Sequence, residues 1–571
     1  MKLQRNFITS KYHSMLLSGT VTMVLTAFMG MADTLIAGIL LGEDAVAGIS
    51  LVLPVYSLAS FFGVCFSYGV PILYAEEIGA FHRKEADRCF GVGLLTVSVI
   101  GAVIFFGLLL GGKSFLSSYG PGSGILANAE DYLSWMKFVM LLLPLNELLD
   151  GMVFTDGDEK LSLASNLLQG ILKLGLSLLL CRRMGTRGLA LATFLSFTVS
   201  TLVLFLHFFR KGNSLRLNFS FSPAVFRSIA RFGIVDASTY LFLSAFTALF
   251  NRYLILAFGP NMLILAAVIA LFKEAQLIFD GIGEAITPII STYLGEQTYP
   301  GVRMVWKLAR RTLRLESLLI AALLFVSASP IVRLLGMEDP GIAEKAVGCL
   351  RLMSLTLIFT CRMFLDSSYF ILVKRISLGV FDAFLRELFP ALPMAVLGGR
   401  LGGVWGSFVG LALSPVVGYL ISVLYICLRY GRENYPLFLA DKEKETKKTL
   451  FEYTVAPEAI IEVRDEIGAL LRENACPEPL TARTMLLFEE LSMLIREANP
   501  GKEVLAECTV ELGASVCLIL KDDGAILDLM DTDRRVASLR AYVASSLLGA
   551  HTVSRIHFLA LSYNRNVLEI R

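Results

Sequence analysis

The chain is expected to be an all-α polytopic membrane protein of about twelve transmembrane helices in two six-helix bundles, followed by a small cytosolic α+β domain. Three observations lead there. Apolar stretches recur almost without a break up to Tyr430, and a helix rising about 1.5 Å per residue needs about 20 apolar residues to cross a bilayer. The composition is 55% hydrophobic and 18% charged over 571 residues, with mean hydropathy +0.66, against about 25% charged in an ordinary soluble protein. Past Tyr430 the composition turns ordinary, with a lysine- and glutamate-rich linker, Asp441 to Lys448, and then alternating helix and strand patterns. The net charge of +2 averages two unlike parts and points to no nucleic-acid partner.

Cuts at charge and Gly/Pro clusters place spans near residues 14–40, 46–74, 90–110, 132–154, 162–181, 188–209, 232–258, 262–294, 312–336, 346–373, 378–399 and 403–429. The segment before the first is short and basic (Lys2, Arg5, Lys11), and the apolar run after it is too long for the core of a cleaved leader, so it reads as a helix that stays. An even number of spans puts both termini on one side. That side takes Arg83, Lys84, Arg88, Arg210, Lys211, Arg303, Lys307, Arg310 and Arg311 and is expected to be the cytoplasm, although Arg182, Arg183 and Arg187 fall opposite. Nine cysteines without a C-x-x-C pair suit a reduced or bilayer-buried state better than disulfides.

Pro71-Ile-Leu-Tyr-Ala-Glu-Glu-Ile-Gly79 closes the second span as Pro288-Ile-Ile-Ser-Thr-Tyr-Leu-Gly295 closes the eighth. Six spans separate the two segments, so the halves enter the membrane in the same orientation, like the parallel repeats of some secondary transporters. The expected domains are therefore residues 1–220 and 221–430 for the bundles, 431–448 for the linker and 449–571 for the tail.

Ionisable side chains at bilayer depth cost at least about 2.5 to 3.5 kcal/mol each and persist mainly where they face a bundle interior or a wet cavity. This chain keeps Asp33, Glu147, Asp150 and Lys173 in the first half, and Asp236, Lys273, Glu274, Asp280, Glu284, Arg362, Asp366 and Asp382 in the second. Asn146 and Asp150 lie one turn apart and can share a helix face. Adjacent opposite charges such as Lys273 and Glu274 can also serve only to hold helices together.

Met31-Ala-Asp33-Thr34, Leu41-Gly42-Glu-Asp-Ala45-Val-Ala47-Gly48, Asp156-Gly157-Asp158-Glu159-Lys160, Asn166, Gly185-Thr-Arg-Gly188-Leu-Ala190-Leu-Ala192-Thr193 and Leu401-Gly-Gly403-Val404-Trp405 together resemble the multidrug and toxic compound extrusion family over about residues 10 to 430. The resemblance implies export of organic, often cationic, compounds in exchange for protons or sodium ions. It places Asp33 where relatives carry the acid implicated in coupling, with Asn166 as its companion. Asp150, Lys173 and Asp366 complete the candidate transport site. Two departures bear on the coupling ion: Gly170 stands one turn after Asn166 where some relatives have an acid, and an apolar residue near Leu243 stands where sodium-coupled relatives have one. Lys173 is expected to form an ion pair with Asp33 or Asp150.

Gly107-Leu-Leu-Leu-Gly111-Gly112-Lys113-Ser114 contains the letters of a phosphate-binding loop, but an apolar span precedes it where a strand is needed, so it is not read as a nucleotide site. The tail reads strand, helix, helix, then strands with one more helix. Its order resembles the histidine-kinase-type ATPases, above all the small anti-sigma-factor serine kinases. By that resemblance Glu490 lies on the metal-binding helix, and Asp522 and Gly524 lie in the loop that meets adenine. Leu494 replaces the asparagine that holds magnesium, Ile526 replaces a glycine, and the glycines of the phosphate lid are missing around Val536 to Tyr542. Leucine offers magnesium no oxygen ligand, so the tail is expected to be a degenerate remnant, without metal, cofactor or enzymatic turnover.

The expected partners are a small organic substrate, a coupling proton or sodium ion, the lipid bilayer and a cytosolic protein at the tail. Two other functions fit the same chain: a membrane-anchored signalling protein with a kinase-like tail, or a flippase or exporter of lipid-linked precursors, which would need a large basic cavity.

Overall fold

The computed structural model describes residues 6–79, 83–120, 122–156, 158–210, 215–216, 221–337, 339–439, 448–513, 515–525, 539–548, 552–558 and 563–570. The helices up to Tyr430 are α1 (Phe7–Leu40), α2 (Glu43–Gly79), α3 (Arg83–Ser117), α4 (Ser123–Thr155), α5 (Glu159–Met184), α6 (Thr186–Phe205), α7 (Pro223–Phe258), α8 (Ile264–Gln276), α9 (Asp280–Gly295), α10 (Tyr299–Leu334), α11 (Pro340–Leu355), α12 (Leu357–Leu372), α13 (Ile376–Glu387) and α14 (Ala391–Tyr430).

Among the described residues, ten helical segments are long and apolar enough to cross a membrane, or eleven when α11 and α12, bent by 51°, count as one broken span. One of these segments, Ile376–Tyr430, runs for 55 residues, more than twice the length that a bilayer core about 30 Å thick requires. It is a hairpin. Helical geometry is lost at Gly402 and at Gly403, whose φ is 61°, and the flanking stretches face each other: a Cβ on Gly398 would meet the Gly406 carbonyl, and one on Gly410 the Met394 carbonyl. That adds one pass to the eleven, matching the expected twelve.

The helices overrun their apolar runs. α3 extends over Arg83–Ser117 where hydropathy marks 90–110, because the backbone ladder continues into the interface, where polar side chains are solvated. The phosphate-loop letters, Gly107 to Ser114, lie inside this helix and form no loop. Composition also misses the break in the eighth span, where a 3₁₀ turn at Leu277–Phe279 separates α8 from α9.

Packing divides the chain into two compact units. One comprises Thr22–Asp280 with Arg314–Ile426, and the other Met1–Val21, Gly281–Leu313 and Cys427–Arg571. In the first unit, Phe66, Val70 and Tyr74 of α2 form an apolar cluster with Phe90 and Val97 of α3, Leu148 and Met152 of α4, and Ile229 and Ala237 of α7. α7 approaches α2 so closely that a Cβ on Gly233 would stand 1.9 Å from the Cys65 carbonyl oxygen. α5 turns directly into α6 through Gly185 at φ 61°.

In the second unit the tail forms β1 (Lys448–Thr454), α15 (Pro457–Glu473), α16 (Glu478–Glu497), β2 (Leu505–Leu512), β3 (Val516–Asp522), α17 (Leu539–Leu548), β4 (Thr552–Phe558) and β5 (Tyr563–Ile570), in the expected strand and helix order. The strands make one antiparallel sheet, ordered β1-β2-β3-β5-β4. Alternate residues on one face, including Tyr453, Cys508, Val510, Leu518, Leu520 and Leu568, share a core with Ile460, Ile467, Leu487, Phe488 and Leu491 of the helices. On the other face the register sets Glu452 beside Glu507, Glu507 beside Lys521, and Lys521 beside Arg565, a single charged rung across four strands. The start of α1 packs into this unit as well, with the Phe7 ring edge-on to Tyr563 at 5.7 Å.

Candidate functional site

Asp33 lies in the C-terminal part of α1 and is 4% exposed. Its Oδ2 accepts a hydrogen bond from the Tyr132 hydroxyl of α4 at 2.8 Å, and the Thr193 hydroxyl of α6 lies 3.1 Å away. Lys173 of α5 brings its Nζ to 3.6 Å from the same oxygen and donates to the Met29 carbonyl, one turn back on α1, at 3.0 Å. The ion pair expected of Lys173 is thus formed with Asp33 and not with Asp150. Asp33 Oδ1 is buried and accepts no hydrogen bond among the described residues. A secluded carboxyl oxygen with free lone pairs is able to take a proton or an ion, since a buried acceptor left without a partner is costly.

The other candidates separate. Asn166 does not accompany Asp33, because it faces α4 and donates to Asp150 Oδ2 at 3.0 Å. Ser162, one turn earlier on α5, donates to Asp150 Oδ1 at 2.5 Å. Asn146 turns toward α6, donating to Ser200 at 2.9 Å and Thr201 at 3.0 Å, so Asn146 and Asp150 serve different neighbours although they lie one turn apart. Asp366 pairs with Arg362 of its own helix at 3.1 Å, and Ser422 donates to Asp382.

A second polar centre sits among α7, α8, α12 and α13. Glu387 binds Lys273 at 2.7 Å and Arg386 at 2.8 Å, so Lys273 does not pair with Glu274. Arg386 also donates to Thr239 at 2.8 Å and stacks its guanidinium 3.5 Å from the Phe364 ring centre. Beside it lies a small, partly open pocket lined by Lys273, Arg386, Gln276, Thr360, Phe246 and Phe272, among others. Arg386 and Glu387 are not among the residues expected from the sequence. Their adjacency inside the eleventh apolar run is a signal that could have found them.

In the tail, the metal-position Glu490 is held by Arg540 at 2.9 Å, and Arg540 also pairs with Glu497 at 2.9 Å. Asp522 is 1% exposed, and its Oδ1 accepts from Asn564 at 2.8 Å and from the Gly524 amide at 3.1 Å. A Cβ on Gly524 would stand 2.6 Å from Asn499 Nδ2, so packing alone accounts for this glycine. Leu494 packs against the tail's core. Ile526 and Val536 to Ser538 lie outside the described residues, and Leu539 to Tyr542 open α17.

Among the described residues, long apolar helices enclosing buried, mutually bonded polar side chains define a polytopic membrane protein. Residues 20–179, less than a third of the chain, match the family model described as MatE. Among solved structures the chain resembles an inward-facing multidrug resistance MATE family transporter of the MOP superfamily, at 19% identity and TM-score 0.65, covering 73% of this chain and 96% of the other. It resembles an outward-facing MATE family transporter at 18% identity and TM-score 0.61, covering 77% and 98%. A third resemblance, at 18% identity and TM-score 0.62 over 75% and 96%, is to a MOP superfamily transporter from Pyrococcus furiosus whose binding pocket is described as having reverse polarity, suggesting a different function. At these identities the likeness is one of fold. No curated protein matches the chain.

Proposed function

We propose that this protein is a secondary active transporter that exports small organic compounds in exchange for protons or sodium ions by alternating access. Both termini lie in the cytoplasm, and the tail regulates transport or receives a cytosolic partner. The observation that carries this reading is Asp33. It is a buried carboxyl with one oxygen bound by Tyr132 and approached by Lys173, and the other oxygen accepts no hydrogen bond among the described residues. A proton or sodium ion arriving at the open oxygen would compete with Lys173 for the carboxylate, and that competition couples ion occupancy to the contact between α1 and α5. Asp33→Asn tests it. Gradient-driven efflux should be abolished in protein that still folds and inserts, and efflux at the wild-type rate would overturn the assignment.

A second reading, export of an anionic lipid-linked precursor, is favoured by one observation: the pocket is lined by Lys273 and Arg386, which both pair with the carboxylate of Glu387. Competition assays separate the two, because an anionic amphiphile should inhibit efflux only if this pocket receives it. The tail's likeness to ATPases is read as a remnant, since Arg540 occupies Glu490 and Asn564 occupies Asp522.

A further inference from the structure

The centre of the tail's sheet carries two charged side chains that are almost entirely buried, Glu507 at 0% and Lys521 at 1% exposure. Buried charges need partners, and here the ends of membrane helices supply them. Lys521 Nζ lies 2.7 Å from Glu296 and 3.1 Å from Glu507, and Arg565 Nε lies 2.6 Å from the other Glu296 oxygen. The Tyr293 hydroxyl donates to Glu507, and Lys448 donates to the Glu296 carbonyl at 2.6 Å. At the other end of the rung, Glu452 accepts from the Ile8 amide at 2.9 Å and the Asn6 side chain at 3.2 Å.

Tyr293 and Glu296 stand at the end of α9, in the second half of the repeat, whereas Asn6 and Ile8 open α1, in the first half. Strands lie about 4.8 Å apart, so one rung holds the two helix ends within a few strand spacings. α1 and α9 also touch directly, where a Cβ on Gly19 would stand 2.8 Å from the Gly281 carbonyl oxygen. An apolar patch could hold such a contact permanently at a lower desolvation cost. A rung of charges, each well solvated once separated, makes a contact that can be undone.

We propose that the tail is a reversible brace: the rung of Glu452, Glu507, Lys521 and Arg565 ties α1 to α9, holds that end of the two halves closed, and slows the cycle while docked. This rests on the transport reading, because alternating access parts the two halves at each end in turn.

The test uses the full chain with spin-label amino acids at Ser14 and Gln297 and measures the distance between them in wild type, Lys521→Met and, as a milder lesion, Glu296→Gln. The brace gives one narrow distance in wild type and an added longer-distance population in both variants, with efflux from proteoliposomes several-fold faster. An unchanged distance distribution in both variants overturns the brace, whatever happens to transport. A longer distance at an unchanged efflux rate overturns its link to the cycle. If the distance lengthens but neither wild type nor variants transport anything, the transport reading fails while the brace stands.

Discussion

Replacing Lys173 with methionine removes the cation facing Asp33 while keeping the length and apolar bulk of the side chain. The two side chains are 11% and 6% exposed, and the charges are 3.6 Å apart. At an effective dielectric constant of about 20 such a pair attracts by roughly 4 to 5 kcal/mol, and breaking one buried pair from one side costs about 3 to 5 kcal/mol. Asp33 keeps its Tyr132 hydrogen bond, so the loss should fall at the lower end, about 3 kcal/mol. The Met29 carbonyl also loses its lysine donor. Adding Asp33→Asn removes the stranded charge while leaving an oxygen for Tyr132, and should recover at least about 1 kcal/mol, in the range of direct coupling energies. Thermal unfolding in detergent of wild type, both single variants and the double variant measures this. A double variant that melts no higher than Lys173→Met refutes the pairing argument.

Three further outcomes are expected. Gly233→Ala puts a methyl group 1.9 Å from the Cys65 carbonyl. α7 must then back away from α2, at a cost of about 1 to 3 kcal/mol seen as a lower melting temperature. Tail docking should strengthen as pH falls: burial pushes the Glu507 carboxyl above the ordinary glutamate range against the opposing pull of Lys521 and Tyr293, and burial raises Glu452 likewise. The docked form therefore binds protons more readily than the released form. Docking gains stability from those raised values down toward about 4.5, and the gain is lost as pH rises through them. Lys521, lowered by burial but raised overall by Glu507 and Glu296, stays charged throughout. Protease release of the tail should thus be slower at about pH 5.5 than at about pH 7.5, and the reverse order would contradict the assignment. The full-length protein should bind no MgATP by calorimetry, and Glu490→Ala should change nothing. Micromolar binding lost in that variant would make the tail a live nucleotide site.

How much of this could be read from the sequence differs from residue to residue. Asp33 and Lys173 are legible because a charge inside an apolar run is conspicuous and expensive. Their companions Tyr132 and Thr193 are not, since a tyrosine or threonine in a span costs little and occurs for many reasons. Resemblance pairs Asn166 with Asp33, yet the rotation of α5 turns it to Asp150, and helix rotation depends on packing that no single span encodes. The tail's elements follow from apolar periods of 2 and 3.6. Its docking does not, because Glu507 and Lys521 occupy alternating positions that look solvent-facing. The sheet register and the covering helix ends are needed to show that they are buried. The hairpin at Gly402 and Gly403 was legible as a Gly-Gly cut, whereas the 3₁₀ turn at Leu277–Phe279 sits in an unbroken apolar run and leaves no mark.

The most direct test of ion-coupled export is transport by the wild-type protein in proteoliposomes under imposed gradients. With a fluorescent organic cation as cargo, a proton or a sodium gradient directed against the cargo should drive accumulation that collapses when the gradient is dissipated and is absent in Asp33→Asn. Accumulation that ignores both gradients, or none at all in well-folded wild type, would contradict the account.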